Sequence, residues 1–146
     1  MPFAESFRDL IVYQKARTLS QDIFNLSTTF PGAETFSLTD QIRRSSRSIG
    51  AQIAEAWAKR RYEKSFVSKL TDANGEQLET QHWIEVAADC GYLSADQSQT
   101  LIEKCTEIGR LLGTMVIKAD QFCNPHSSSI REIGAEYFVE EHPSSE

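Results

Sequence analysis

Residues 38–57 read LTDQIRRSSRSIGAQIAEAW. Ile42, Ser46, Ile49, Ile53 and Trp57 recur at steps of three and four, the spacing of one buried stripe on an α-helix. Ser and Ala residues interrupt the large ones, which lets a neighbouring helix approach closely. Gly50 sits inside this helix at a cost of ~1 kcal/mol relative to Ala, which predicts a bend or a close helix contact there. Arg43, Arg44 and Arg47, three and four residues apart, share one exposed face.

Outward from this helix, three further segments keep the same period. In the first, Val12, Ala16, Leu19, Ile23, Leu26 and Phe30 are in register, with Ser6 and Asp9 as a start signal and Pro31-Gly32 as a stop. The third runs from Tyr62 to Asp89, with Phe66, Leu70, Ala73, Gln77, Ile84 and Ala88 inward and Cys90-Gly91 at its end. The fourth opens with Ser94 and Gln97 in capping-box spacing, carries Leu101, Cys105, Ile108, Leu112, Met115, Ala119 and Phe122, and closes at Asn124-Pro125. Four helices of roughly 20–28 residues joined by short connections predict an all-α, antiparallel, up-down-up-down four-helix bundle. The bundle is expected over residues 1–125 and a C-terminal tail over 126–146. That tail carries Glu132, Glu136, Glu140, Glu141 and Glu146 and an apolar patch of Ile130, Ile133, Tyr137 and Phe138. Its composition fits either a partly mobile tail or an acidic arm packed on the bundle or a neighbour.

At 146 residues with 40% hydrophobic content the chain is sized for one domain with a core, and only 7 Gly and 4 Pro leave little room for the turns of an all-β fold. The net charge of −6 argues against a protein that is basic all over, but the charge is segregated. Between Thr39 and Lys69, eight basic residues face three acidic ones, a local +5, and the remainder carries −11. Cys90, Cys105 and Cys123 are odd in number and scattered, so free thiols in a cytoplasmic protein are expected. The first residues place charges where a signal peptide needs its apolar core, and no run approaches the ~18 apolar residues of a membrane span.

Several blocks carry a family resemblance. They are Leu10, Tyr13 and Ala16; Phe30, Pro31, Glu34, Phe36 and Leu38; Gln41, Ile42, Arg43 and Arg44; Ser48, Ile49, Ala51, Ile53, Ala54 and Glu55; Ala73, Gly75, Glu76, Leu78, Glu79, Thr80 and Gln81; and Gly91, Tyr92 and Leu93. In this order, over residues 7–122, the chain resembles the four-helix bundle proteins encoded in intervening sequences of bacterial 23S rRNA genes. It departs from their pattern at Gly50 (usually Pro), Gln52 (usually Asn) and Ala56 (usually Gly). The resemblance implies an antiparallel bundle assembled as a ring-shaped homo-oligomer, with pentamers among relatives. A distantly similar bundle is the accessory protein of diversity-generating retroelements, whose basic surface contacts nucleic acid and a reverse transcriptase.

Chemistry is sparse. Arg43, Arg44 and Arg47 with Lys59, Arg60, Arg61 and Lys64 are the candidate nucleic-acid-binding residues, because cations release counterions from phosphates and guanidinium groups suit phosphate oxygens. Trp57 and Tyr62 lie nearby as stacking groups. The competing reading pairs the arginines with Glu55, Glu76 and Glu79 in a structural polar network. Glu79 and His82 have the Glu-x-x-His spacing of di-iron bundles, but the second such pair is missing, and no cofactor or metal is expected. Cys105 falls on the apolar stripe and is expected in the core. With no Arg followed four to six residues later by His on one helix, and no nucleophile-base pair, no catalytic residue is expected. The expected function is a non-enzymatic homo-oligomeric scaffold that binds RNA or DNA. The alternatives are an adaptor for a protein such as a reverse transcriptase, or an enzyme acting on RNA. Leu10, Ile11, Phe24, Phe36 and Leu38 lie outside the stripes and are expected to serve assembly.

Overall fold

A computed structural model of the chain describes residues 5–123 and 136–139. Four long helices, α1 (Ile11–Ser27), α2 (Leu38–Ala58), α3 (Glu63–Asp89) and α4 (Ala95–Ile117), are followed by a short α5 (Ala119–Cys123). Short connections make sequential helices antiparallel neighbours, and α1 closes the circuit against α4. The architecture is a four-helix bundle, all-helical among the described residues apart from one antiparallel bridge, Leu10 to Phe138.

The stripes meet in one core. Val12, Ala16, Leu19 and Ile23 of α1, Ile42, Ile49 and Ile53 of α2, Phe66, Leu70, Ala73 and Ile84 of α3, and Leu101, Cys105, Ile108, Leu112 and Met115 of α4 are all buried. On α3, Ala87 takes the buried place expected for Ala88, one residue earlier on the turn. Gly91, with φ of 77°, ends α3 as the left-handed residue of a Schellman turn: its N–H donates to the Ala88 carbonyl at 3.0 Å and that of Tyr92 to Ala87 at 2.9 Å. Ser94 and Gln97 form the expected capping box at the start of α4.

Two boundaries differ from the sequence expectation. The Ser6–Asp9 capping box is present, but it caps a 3-10 turn, Phe7–Asp9, and α1 starts afresh at Ile11. Leu10 is extended (φ −75°, ψ 129°), so the helical ladder is interrupted where the bridge to Phe138 forms. The fourth helix breaks at Lys118, although Ala119 and Phe122 keep their buried places in α5. Most of the predicted tail, 126–135 and 140–146, lies outside the described residues. Residues 136–139 rest on the bundle with Tyr137 and Phe138 buried.

The surplus apolar residues also divide. Leu10 and Leu38 belong to the core of this chain, so they are not available for assembly, whereas Phe36 is 93% exposed and Phe24 is partly exposed.

Candidate nucleic-acid interface

The seven candidate cations fall into two groups. Along α2 the helical rise places Arg43, Arg44 and Arg47 roughly 20–25 Å from the α2–α3 junction that carries Lys59, Arg60, Arg61 and Lys64. The arginines therefore do not form one continuous stripe with the junction.

The first group is largely engaged in holding the bundle. Arg43 Nε donates to Ser27 Oγ at 2.8 Å, and its guanidinium lies 4.7 Å from the ring centre of Phe24. Arg44 pairs with Glu79 and stands 3.8 Å from Glu76, and Trp83 Nε1 donates to the same Glu79 oxygen at 3.4 Å. Only Arg47 lacks a polar partner among the described residues. It leans over Phe24 at 5.6 Å. These arginines line a shallow cleft with Thr35, Phe36 and Asp40. Of the three glutamates, Glu79 is hydrogen-bonded to Arg44, whereas Glu76 Oε2 is buried with no hydrogen-bond partner among the described residues. Glu55 stands apart, bound to Lys69 at 2.8 Å, which takes Lys69 out of the free basic surface and raises its pKa through that hydrogen bond.

The second group is freer. Lys59, Arg61 and Lys64 make no ion pair among the described residues, and the Arg61 guanidinium lies 6.0 Å from the ring centre of Tyr62, which is 64% exposed. Arg61, Tyr62 and Lys64 line one open cleft with Ser65 and Ser68. Arg60 differs from its neighbours. Its Nε donates to the Trp57 carbonyl at 2.9 Å, which satisfies a terminal carbonyl of α2, and its guanidinium sits 3.5 Å over the Trp57 ring. Partial burial pulls its pKa below the usual arginine value, yet an arginine so placed remains a cation. Within 59–64 four cations face one acid, Glu63.

Glu79, His82 and Cys105 are engaged elsewhere, and Cys90 is a free exposed thiol. Glu79 is held by Arg44, while His82 packs edge-on against Trp83 with ring centres 4.7 Å apart, so the two do not converge. Among the described residues no three His, Cys, Asp or Glu groups converge on a metal-sized site. Cys105 is fully buried, and desolvation pushes its thiol up to about 12. Sequence reasoning singled out Phe24 for assembly but not as the platform for Arg43, and it missed Ser27 as the acceptor. The available signal was an aromatic residue one position off the apolar stripe of α1.

Comparisons with known proteins agree on the fold. Residues 8–114 match the family described as 23S rRNA-intervening sequence protein. A solved structure from Bacteroides thetaiotaomicron, a protein of unknown function from the S23 ribosomal protein family, is similar at 31% identity. The match covers 73% of this chain and 95% of that one, with a TM-score of 0.66. No curated protein matches. The chain belongs to the 23S rRNA-intervening sequence protein family.

Proposed function

We propose that this chain is a non-enzymatic, homo-oligomeric scaffold of the cytoplasm that binds RNA or DNA through the α2–α3 junction. The observation that carries the reading is the junction itself. Lys59, Arg61 and Lys64 have no acidic partner among the described residues, and the Arg61 guanidinium lies 6.0 Å from the exposed ring of Tyr62. Cations that no carboxylate neutralises gain most from displacing phosphate counterions, and a neighbouring aromatic face offers stacking to an unpaired base. The arginines of α2 serve a different purpose. Phe36, Phe24, Arg43 and Arg47 combine exposed aromatic surface with guanidinium groups, the composition enriched at protein interfaces, and this patch is the assembly face. A pentamer, as the family resemblance implies, is the proposed assembly. The absence of catalysis is supported by how the reactive groups are used, with Glu79 salt-bridged and Cys105 sealed in the core. No helix among the described residues is long and apolar enough to cross a membrane.

The patch around Phe36 equally suits a different protein, such as a reverse transcriptase, and the native mass separates the two. Sedimentation of the purified full chain is expected to give a particle several times 16.5 kDa, with nucleic-acid absorbance when isolated at low salt. A 16.5 kDa monomer at micromolar concentration would overturn self-assembly and favour the adaptor.

A further inference from the structure

We propose that the end of the bundle beneath residues 136–139 is a peptide-binding groove, occupied in this chain by its own Tyr137-Phe138-Val139 segment as a reversible latch. The segment docks through few contacts of a kind that short peptides use. Phe138 forms the antiparallel bridge with Leu10, and the Val139 N–H donates to the Asp9 carbonyl at 2.6 Å, so the segment pairs with the single extended residue between the 3-10 turn and α1. Its two rings fill an aromatic socket. Tyr137 meets Phe122 edge-on at 5.3 Å, and Phe138 meets Phe122 at 5.9 Å and Trp57 edge-on at 6.4 Å, with Phe66 stacked behind at 6.0 Å from Phe122. Glu136 completes the contact 3.4 Å from Arg110.

Tyr137 and Phe138 are buried in the same apolar cluster as the four helices, and two features set their segment apart from those helices. It lies beyond the family match, which ends at residue 114, together with α5 and the Phe122 that receives it. The Tyr137 hydroxyl is buried with no hydrogen-bond partner among the described residues, a defect that weakens docking. Trp57 connects the latch to the basic junction, since the ring that receives Phe138 also carries the Arg60 guanidinium. Docking the segment therefore buttresses one of the junction cations.

A covalently attached segment competes at an effective concentration on the order of millimolar, so a site with a dissociation constant of about 10–100 μM is about 90–99% self-occupied. The test uses the full-length double variant Tyr137→Ala, Phe138→Ala, whose own segment has lost both rings, and a fluorescein-labelled peptide of residues 134–142 followed by anisotropy. The variant is expected to bind the peptide saturably and the parent at least about ten-fold more weakly, because its own segment competes. The same peptide with Tyr137→Phe is expected to bind more tightly, having no hydroxyl to strand. Failure of the peptide to bind a variant that remains helical, or equal binding to variant and parent, would overturn the latch. Hydrogen exchange on the parent gives an independent reading: the Val139 amide is expected to exchange far faster than core amides of α2 and α3. Exchange at the core rate would mean that the segment opens only with global unfolding, and would refute reversibility.

Discussion

Two glycines that look alike in sequence are expected to respond with opposite signs to the same substitution. Gly50 of α2 and Gly109 of α4 both lie within helices, and replacement by Ala recovers ~1 kcal/mol of helix propensity at either. At Gly50 the new methyl would stand 3.6 Å from Tyr13 Cε1, an ordinary contact, so the gain is kept. At Gly109 it would stand 2.7 Å from Gln77 Nε2, which is too close. Gln77 is only 4% exposed, and its amide donates to Asn74 Oδ1 at 3.0 Å and accepts from Gln81 Nε2 at 2.8 Å. Displacing that amide strands a buried polar group, a loss of about 1–3 kcal/mol. Because the propensity gain is common to both, the difference between the variants isolates the packing effect. At about 4 °C per kcal/mol for a chain of this size, Gly109→Ala is expected to melt about 4–12 °C below Gly50→Ala. Far-ultraviolet circular dichroism melts at matched protein concentration measure this, the matching being needed because assembly makes Tm depend on concentration. Gly109→Ala melting at or above Gly50→Ala would refute close packing of α4 on the α3 amides. Gly50→Leu, in contrast, overpacks against Tyr13 and is expected to cost roughly 1–3 kcal/mol.

Arg44→Ala is expected to cost no more than about 1 kcal/mol in urea denaturation, because its side chain is 48% exposed and its pairs with Glu79 and Glu76 are screened. A loss above about 2 kcal/mol would show a buried network. Cys105 is expected to resist thiol labelling at pH 8 until the chain unfolds, while exposed Cys90 reacts at once, as peptide mapping by mass spectrometry reads directly. Equal labelling rates would contradict the core placement. Burial holds the Cys105 thiol protonated up to about 12, whereas an exposed thiol ionises near 9.0. The unfolded chain then loses this proton first, so stability is expected to fall as pH rises through that window.

The bundle was legible because apolar residues at steps of three and four leave one solution for four connected helices, and because Gly91 and the Ser94–Gln97 box mark ends by local chemistry. The break at Leu10 was not legible. It depends on Phe138, more than a hundred residues away, supplying a backbone partner, and no local pattern announces that. The candidate site was legible as composition only. Sequence showed seven cations near one another in number, but the rise of α2 separates Arg47 from Arg60, and tertiary contacts assign Arg43 to Ser27 and Lys69 to Glu55. Arg60 illustrates the limit most clearly. Its neighbour Arg61 has the same residue type and charge, yet one caps α2 over Trp57 and the other stands beside Tyr62 without an ion pair among the described residues.

That distinction sets the measurement on which the binding function turns, an anisotropy titration of a labelled duplex at 50 and 200 mM salt. If Lys59, Arg60, Arg61 and Lys64 each neutralise one phosphate, affinity is expected to fall about 150-fold across that range. Replacing Arg61 and Lys64 by Ala leaves two contacts and reduces the fall to about 12-fold. Because Arg60 and its contacts to Trp57 are untouched, the double variant is expected to melt as the parent does. Undetectable binding at 50 mM salt, or a salt slope that the double variant leaves unchanged, would contradict a nucleic-acid surface at the α2–α3 junction.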